Sequence, residues 1–281
     1  MATLIELSDL DFWMSILSKN IKKIGFLQYR QLIVQLIVHD LKARYSTSFL
    51  GGLWVILIPL STLAIYTFVF SVILPPAWQD EKNAPYVFLL FAALIPYTFF
   101  SEVINRSPTI ILGYPNYVKK VVFPLQILPV VILGGAFIDS LISILMMLAG
   151  MLIFLHGIPT SVLLLPVVYV PLILITIGLS WFIASLGVYI RDLGPAIGII
   201  TRLLFFLTPI VYPLSHVPAR YLWIIKLNPL SIIVESFRSV LLAGSMLNWF
   251  EWSIWTVIGL IIAVMGYYWF MKTRNGFADV I

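Results

Sequence analysis

The first regular pattern in the chain is helical. From Phe26 to Tyr45 the apolar residues Leu32, Ile33, Leu36, Ile37 and Leu41 recur at the three- and four-residue spacing of one helix face, with Arg30, Asp40, Lys42 and Arg44 interleaved as charges. This pattern is too polar to cross a bilayer. It predicts an amphipathic interface helix over residues 26–46, with its apolar face in the acyl boundary and its cations toward anionic headgroups; a helix packed on a partner is the alternative. No charge then occurs between Tyr45 and Gln79, and that run holds a first span at 50–73, stopped by Pro75-Pro76.

Further apolar runs predict five more crossings. They lie at 85–105, at 123–155 with Asp139 as its one charge, at 162–190, at 195–212 after the break Arg191-Asp192-Leu193-Gly194-Pro195, and at 252–271. Between the last two, Pro213, Pro218, Asn228 and Pro229 cut residues 213–248 into short pieces. A seventh crossing there would bury Glu235 and Arg238, and each central charge costs about 2.5–3.5 kcal/mol. An external re-entrant hairpin, shielded by protein, is the cheaper arrangement. The expected fold class is therefore an all-α membrane protein: one domain over 1–281, with six transmembrane helices, an N-terminal amphipathic interface helix and a re-entrant helical hairpin between helices 5 and 6.

Composition agrees with this pattern. Of 281 residues, 61% are hydrophobic and 10% charged, where a soluble domain carries roughly 25% charge. The net charge of +5 does not form one basic face, which argues against nucleic acid as a partner. Its distribution is topological: the termini and the loops around 106–120 and 191 hold about twelve Lys and Arg against about four in the opposite loops, so both termini are expected in the cytoplasm. The start, Met1 to Asp11, is acidic and precedes any long apolar run, predicting a retained amino terminus.

The chemistry of catalysis is hard to find. There is no cysteine and no Gly-Lys dipeptide, hence no Walker-type phosphate loop. His39, His156 and His216 lie far apart, and neither a His-Glu-x-x-His helix nor a Gly-x-Ser-x-Gly elbow is present. No catalytic residue, metal or cofactor is predicted. The informative charges are those inside spans: Asp139 should face a protein interior, a subunit contact or a wet path, and Glu235 with Arg238 can neutralise each other three residues apart.

Several ordered fragments carry a resemblance. Asp40-Leu41-Lys42-Ala43-Arg44-Tyr45, Ser48, Leu50-Gly51, Leu53-Trp54 and Pro59-Leu60 precede Asn116, Val118-Lys119-Lys120-Val121 and Phe123-Pro124-Leu125. Arg191-Asp192-Leu193, Pro209-Ile210-Val211-Tyr212-Pro213, Asn228-Pro229, Phe237-Arg238 and Phe277-Ala278-Asp279 come after them. In this order, over nearly the whole chain, they resemble the ABC-2 permeases for polysaccharide export, the O-antigen and teichoic-acid exporters more than the capsule branch.

The resemblance implies a homodimer in the cytoplasmic (inner) membrane, joined to two ATP-binding subunits that hold ATP and Mg²⁺, and moving an undecaprenyl-linked glycan outward. Residues 113–121 would be a cytoplasmic coupling helix presenting Tyr114, Asn116, Tyr117, Val118, Lys119 and Lys120 to the ATPase; an ordinary basic loop is the plainer reading. The lipid diphosphate would meet Arg44, Lys42 and the backbone of Leu50, Gly51 and Gly52, although Asp40 and Arg44 also suit a simple i,i+4 pair. Sugar faces would stack on Trp54, Tyr66, Phe68, Tyr97, Phe99, Phe205, Phe206 and Tyr212 along a path that includes Asp139, while aromatics at such spacing also serve packing. Glu235 and Arg238 would belong to an outer gate. The alternatives are an exporter of a smaller lipid or drug and, from another class, a membrane enzyme acting on polyprenyl diphosphate, for which no clustered Asp/Glu/His site is visible.

Overall fold

The computed structural model describes residues 26–45, 49–69, 85–119 and 123–280. Among them no strand occurs. After a turn at Phe26–Tyr29, α1 runs over Arg30–Tyr45, and α2 over Trp54–Thr67. Next come α3 (Tyr86–Arg106), the short α4 (Pro115–Lys119), α5 (Leu128–Phe154) and α6 (Leu165–Tyr189). The chain continues with α7 (Leu193–Leu207), α8 (Leu222–Leu227), α9 (Pro229–Arg238), α10 (Trp249–Thr273) and α11 (Phe277–Val280).

Four helical stretches among the described residues are long and apolar enough to cross a membrane: Tyr86–Thr109, Leu125–Phe154, Thr160–Tyr189 and Trp249–Val280. Gly51–Thr67 and Leu193–Leu207 are apolar but shorter. The predicted end of the first span, with Pro75-Pro76, lies outside the described residues, as do the amino terminus, Lys120 and Val121. The fifth stretch is helical from Leu193 and ends at Leu207, short of the predicted limit near Tyr212. Its 15 residues reach roughly 22 Å at 1.5 Å each. The cause is Pro209, which pushes the preceding Thr208 into extended backbone at ψ 137°.

The core is built on α3, whose residues Leu90, Ala92, Ala93 and Val103 are fully buried. Helices α6 and α10 lie backbone to backbone, because a methyl group at Gly178 would stand 2.5 Å from the Ile262 carbonyl and one at Gly266 would collide with the Gly178 carbonyl. Indole nitrogens close the frame: Trp181 donates to the Gln126 carbonyl at 3.0 Å and Trp252 to the Val167 carbonyl at 2.9 Å.

The bundle has two dissimilar ends. At one, Pro108 lies against the backbone of Gly187, Tyr189 donates to the Thr273 carbonyl and Arg274 reaches the Gln126 side chain. This end gathers Arg106, Lys119, Arg191, Lys272 and Arg274. At the other end the pieces of 213–248 pack over the start of α6, where Ser161 donates to the Val240 carbonyl at 2.6 Å. Asn228 organises that region: its side chain caps α9 by accepting from Leu230 N–H at 3.0 Å and donates to Thr208 Oγ1 at 2.8 Å.

Candidate functional site

Helix α1 does not stand apart from the bundle. Its face meets α5 at Gly134-Gly135, where side chains are missing for a reason: a methyl on Gly134 would strike Ile37, and one on Gly135 would stand 2.5 Å from Arg44 Nη2 and 3.3 Å from Asp40 Oδ2. The two glycines form a notch that receives the last turns of α1.

A charged cluster fills the space beside this notch. Arg44 donates from Nε and Nη2 to Asp40 Oδ2 at 3.0 and 2.7 Å, and from Nη1 to both Glu102 Oε1 at 2.5 Å and Asp139 Oδ2 at 2.9 Å. Arg106 donates from Nη2 to Asp40 Oδ1 at 2.5 Å, and its Nη1 reaches Asp40 at 3.1 Å and Glu102 at 3.5 Å. Three elements, α1, α3 and α5, thus contribute three carboxylates and two guanidiniums. Burial alone would raise the Asp40 carboxyl, but hydrogen bonds from Arg106 and Arg44 outweigh it and hold the group below the usual carboxylate range. For Arg44 burial opposes the charge, while Glu102, Asp40 and Asp139 together raise its affinity for the proton.

The cluster closes one end of a cavity of about 270 Å³ lying between α2, α3 and α5. Trp54, Ile58, Phe91 and Phe99 give it apolar walls, and Ser140 and Ser143 line the α5 side. Asp139 Oδ1 is buried in this wall with no hydrogen-bond partner among the described residues. Arg44, Trp54, Phe99 and Asp139, predicted from separate parts of the chain, therefore share one cavity. Phe99 is also a packing residue, 1% exposed and edge-on to Tyr169 at 6.0 Å.

The other predicted aromatics form a second group. Tyr66 stacks on Phe205 at 5.4 Å, Tyr97 meets Phe205 edge-on at 5.2 Å, and Phe206 stands beside Phe205 at 5.2 Å and is exposed. Tyr212 joins it by donating to the Phe206 carbonyl at 2.9 Å, and Tyr97 donates to the Thr201 carbonyl at 2.6 Å, tying α7 to α3. Phe68 is exposed just beyond α2.

Lys42 is exposed on α1 and forms no ion pair among the described residues. The loop beyond carries exposed Phe49 and Leu50, and turns at Gly51 with φ +50°, a left-handed value that glycine adopts without strain. The predicted coupling segment contains helix α4, with Asn116 and Lys119 exposed and Val118 buried. Tyr117 stacks on Tyr114 at 5.6 Å and on Phe123 at 4.3 Å. At the opposite end, Arg238 is 4% exposed and pairs with Glu235 at 2.8 Å. It also donates to the carbonyls of Leu89, Pro209 and Ile210 at 3.0, 2.6 and 2.7 Å, holding α9 to α3 and to the segment after α7.

Residues 31–242 match the family described as ABC-2 type transporter. The chain belongs to this family. It is 29% identical over 255 residues to the O-antigen export system permease protein RfbA of Klebsiella pneumoniae, covering 89% of this chain and 95% of that protein. Identity is 32% over 216 residues, 76% and 81% of the two chains, to RfbA of Myxococcus xanthus. To the polysialic acid transport protein KpsM of Escherichia coli it is 28% over 227 residues, 78% and 84% of the two chains.

The ABC-2 match runs from α1 through α9 and so contains the notch, the charged cluster, the cavity and the Arg238 contacts. Two members of the cluster escape sequence reasoning. Glu102 and Arg106 read as the polar margin where the second span ends, since their i,i+4 spacing says nothing of α1. Gly134-Gly135 leaves a fainter trace, as adjacent glycines inside an apolar helix call for a packing reason.

Proposed function

We propose that this ABC-2 chain is the membrane subunit of an ABC exporter that carries lipid-linked polysaccharide across the cytoplasmic membrane. The carrying observation is likeness over 89% and 76% of the chain to two permeases named for O-antigen export. In this reading a separate subunit binds and hydrolyses ATP with Mg²⁺, and the chain itself breaks no bond. Two copies assemble with two such subunits, each copy crossing six times, with α2 and α7 as the shorter crossings and residues 213–248 as an external re-entrant hairpin.

Physical features of the bundle support this arrangement. The basic end, with α4 exposed on it, suits the cytoplasmic face. Movement imposed at α4 passes into the spans as rigid-body motion, because the segment leaving α3 rests directly on α6 at Pro108 and Gly187. The lipid diphosphate loads beside Lys42 and the backbone of residues 50–52, and the aromatic group around Phe205 offers faces on which sugars slide. Glu235 and Arg238 close the outer end.

Deleting the chain from its native cell is expected to strand lipid-linked glycan on the inner leaflet, and affinity capture to recover an ATP-binding subunit. Unchanged surface glycan together with no such subunit in the captured complex would overturn the proposal.

A further inference from the structure

Arg44 occupies the position where a phosphate-binding cation is wanted, yet four of its five N–H groups already point at carboxylates. Its donors go to Asp40, Glu102 and Asp139. With Arg106 included, three carboxylates face two guanidiniums, which leaves one formal negative charge in excess. A diphosphate approaching this group meets repulsion, and taking Arg44 away would leave Glu102 and Asp139, which share its Nη1, without the cation between them. The unpartnered Oδ1 of Asp139 points the same way: a buried carboxylate oxygen of the cluster still lacks a donor, so the site is rich in acceptors for an anion to meet.

The notch on α5 is an independent observation. Gly135 leaves room for the Arg44 guanidinium and Gly134 for Ile37, so side-chain volume has been removed where the end of α1 seats. The loop carrying residues 49–53 leaves from that end, and its placement depends on how α1 is held. Lys42, on the same helix, stays exposed.

We infer that Arg44 is a positioning residue, a clasp that seats the surface helix in the Gly134-Gly135 notch and thereby fixes the loading loop, while Lys42 and the loop backbone receive the anionic headgroup. This inference rests on the reading of the chain as an exporter of lipid-linked glycan.

The test uses the complete transporter in inverted membrane vesicles supplied with lipid-linked glycan and ATP. Arg44→Gln is expected to lower the maximal export rate about tenfold or more with KM for the glycan changed less than about twofold, whereas Lys42→Gln raises KM. Adding Glu102→Gln and Asp139→Asn to Arg44→Gln removes the stranded negative charge and is expected to restore at least about a third of the rate. A structural readout accompanies these rates: nitroxides on cysteines introduced at exposed Val38 and Leu145, in a chain with no native cysteine, report the distance from α1 to α5. That distance is expected to broaden in Arg44→Gln and in Gly135→Val, and to sharpen again in the compensated variant. A raised KM in Arg44→Gln that the compensating changes leave raised would make Arg44 a phosphate ligand and overturn the inference. An unchanged α1–α5 distance in Arg44→Gln would overturn it too. Should the wild-type vesicles export no glycan, the functional reading falls, while the distance measurement still decides whether Arg44 is the clasp.

Discussion

Asp40 shows how a single side chain sets a range of conditions. Its carboxyl is held below the usual value by Arg106 and Arg44 against the opposing effect of burial. A depressed carboxylate contributes stability that is complete above the unfolded value of 3.8 and is lost as pH falls through the lower folded value. The contribution of Asp40 to seating α1 is therefore expected to be flat between pH 9 and 5; the increment by which Asp40→Asn broadens the Val38–Leu145 distance, measured across that range, should not change. Arg238 makes the complementary case, a buried cation satisfied mostly by carbonyls. Arg238→Gln leaves the Pro209 and Ile210 oxygens short of donors, at about 1–3 kcal/mol for each orphaned buried group. Faster trypsin cleavage at exposed Arg220 and Lys226 should report the loosened segment, with Arg238→Lys intermediate because it carries fewer donors. From sequence Asp139 was expected at a protein interior, a subunit contact or a wet path, since a charge inside a span needs company. Its partner Arg44 was not legible, because that residue lies in a helix whose pattern offers a membrane surface or a packing partner without naming either.

Helices were the most legible level, because runs of apolar residues fix both the solvent and the period. The predicted span at 85–105 coincides with Tyr86–Arg106, and that at 162–190 with Leu165–Tyr189. The exception is α7, where the local bias of the residue before Pro209 overrides an apolar pattern that runs on to Tyr212. Close approach between helices was illegible, since a glycine in an apolar run carries no sign of which neighbour it admits. Gly266→Leu is expected to force α10 off α6, as its side chain would occupy the Gly178 carbonyl. A drop in the thermal transition of the detergent-solubilised protein by several degrees checks it, on the scale of about 1–3 kcal/mol for overpacking.

For the whole molecule the two ends matter more than any one helix. Charge counting predicted a basic inner side; among the described residues Arg106, Lys119, Arg191, Lys272 and Arg274 lie toward one end, with 213–248 at the other. Cysteine introduced at exposed Asn116 should react with an impermeant maleimide only after the membrane is opened, and at exposed Ser215 in intact spheroplasts. The reverse pattern would invert the topology. The candidate site was only partly legible at this scale: residues from α1, α2, α3 and α5 meet at one cavity because of packing that no linear spacing encodes.

Helix α2 differs from its neighbours in having no buried residue over Trp54–Thr67. Shifting α6 would part it from α10 along a seam of touching backbones, and shifting α3 would empty the centre of the core. Displacing α2 breaks far fewer packed contacts. Under mechanical load the cavity is therefore expected to deform first at α2, the wall with no buried residue.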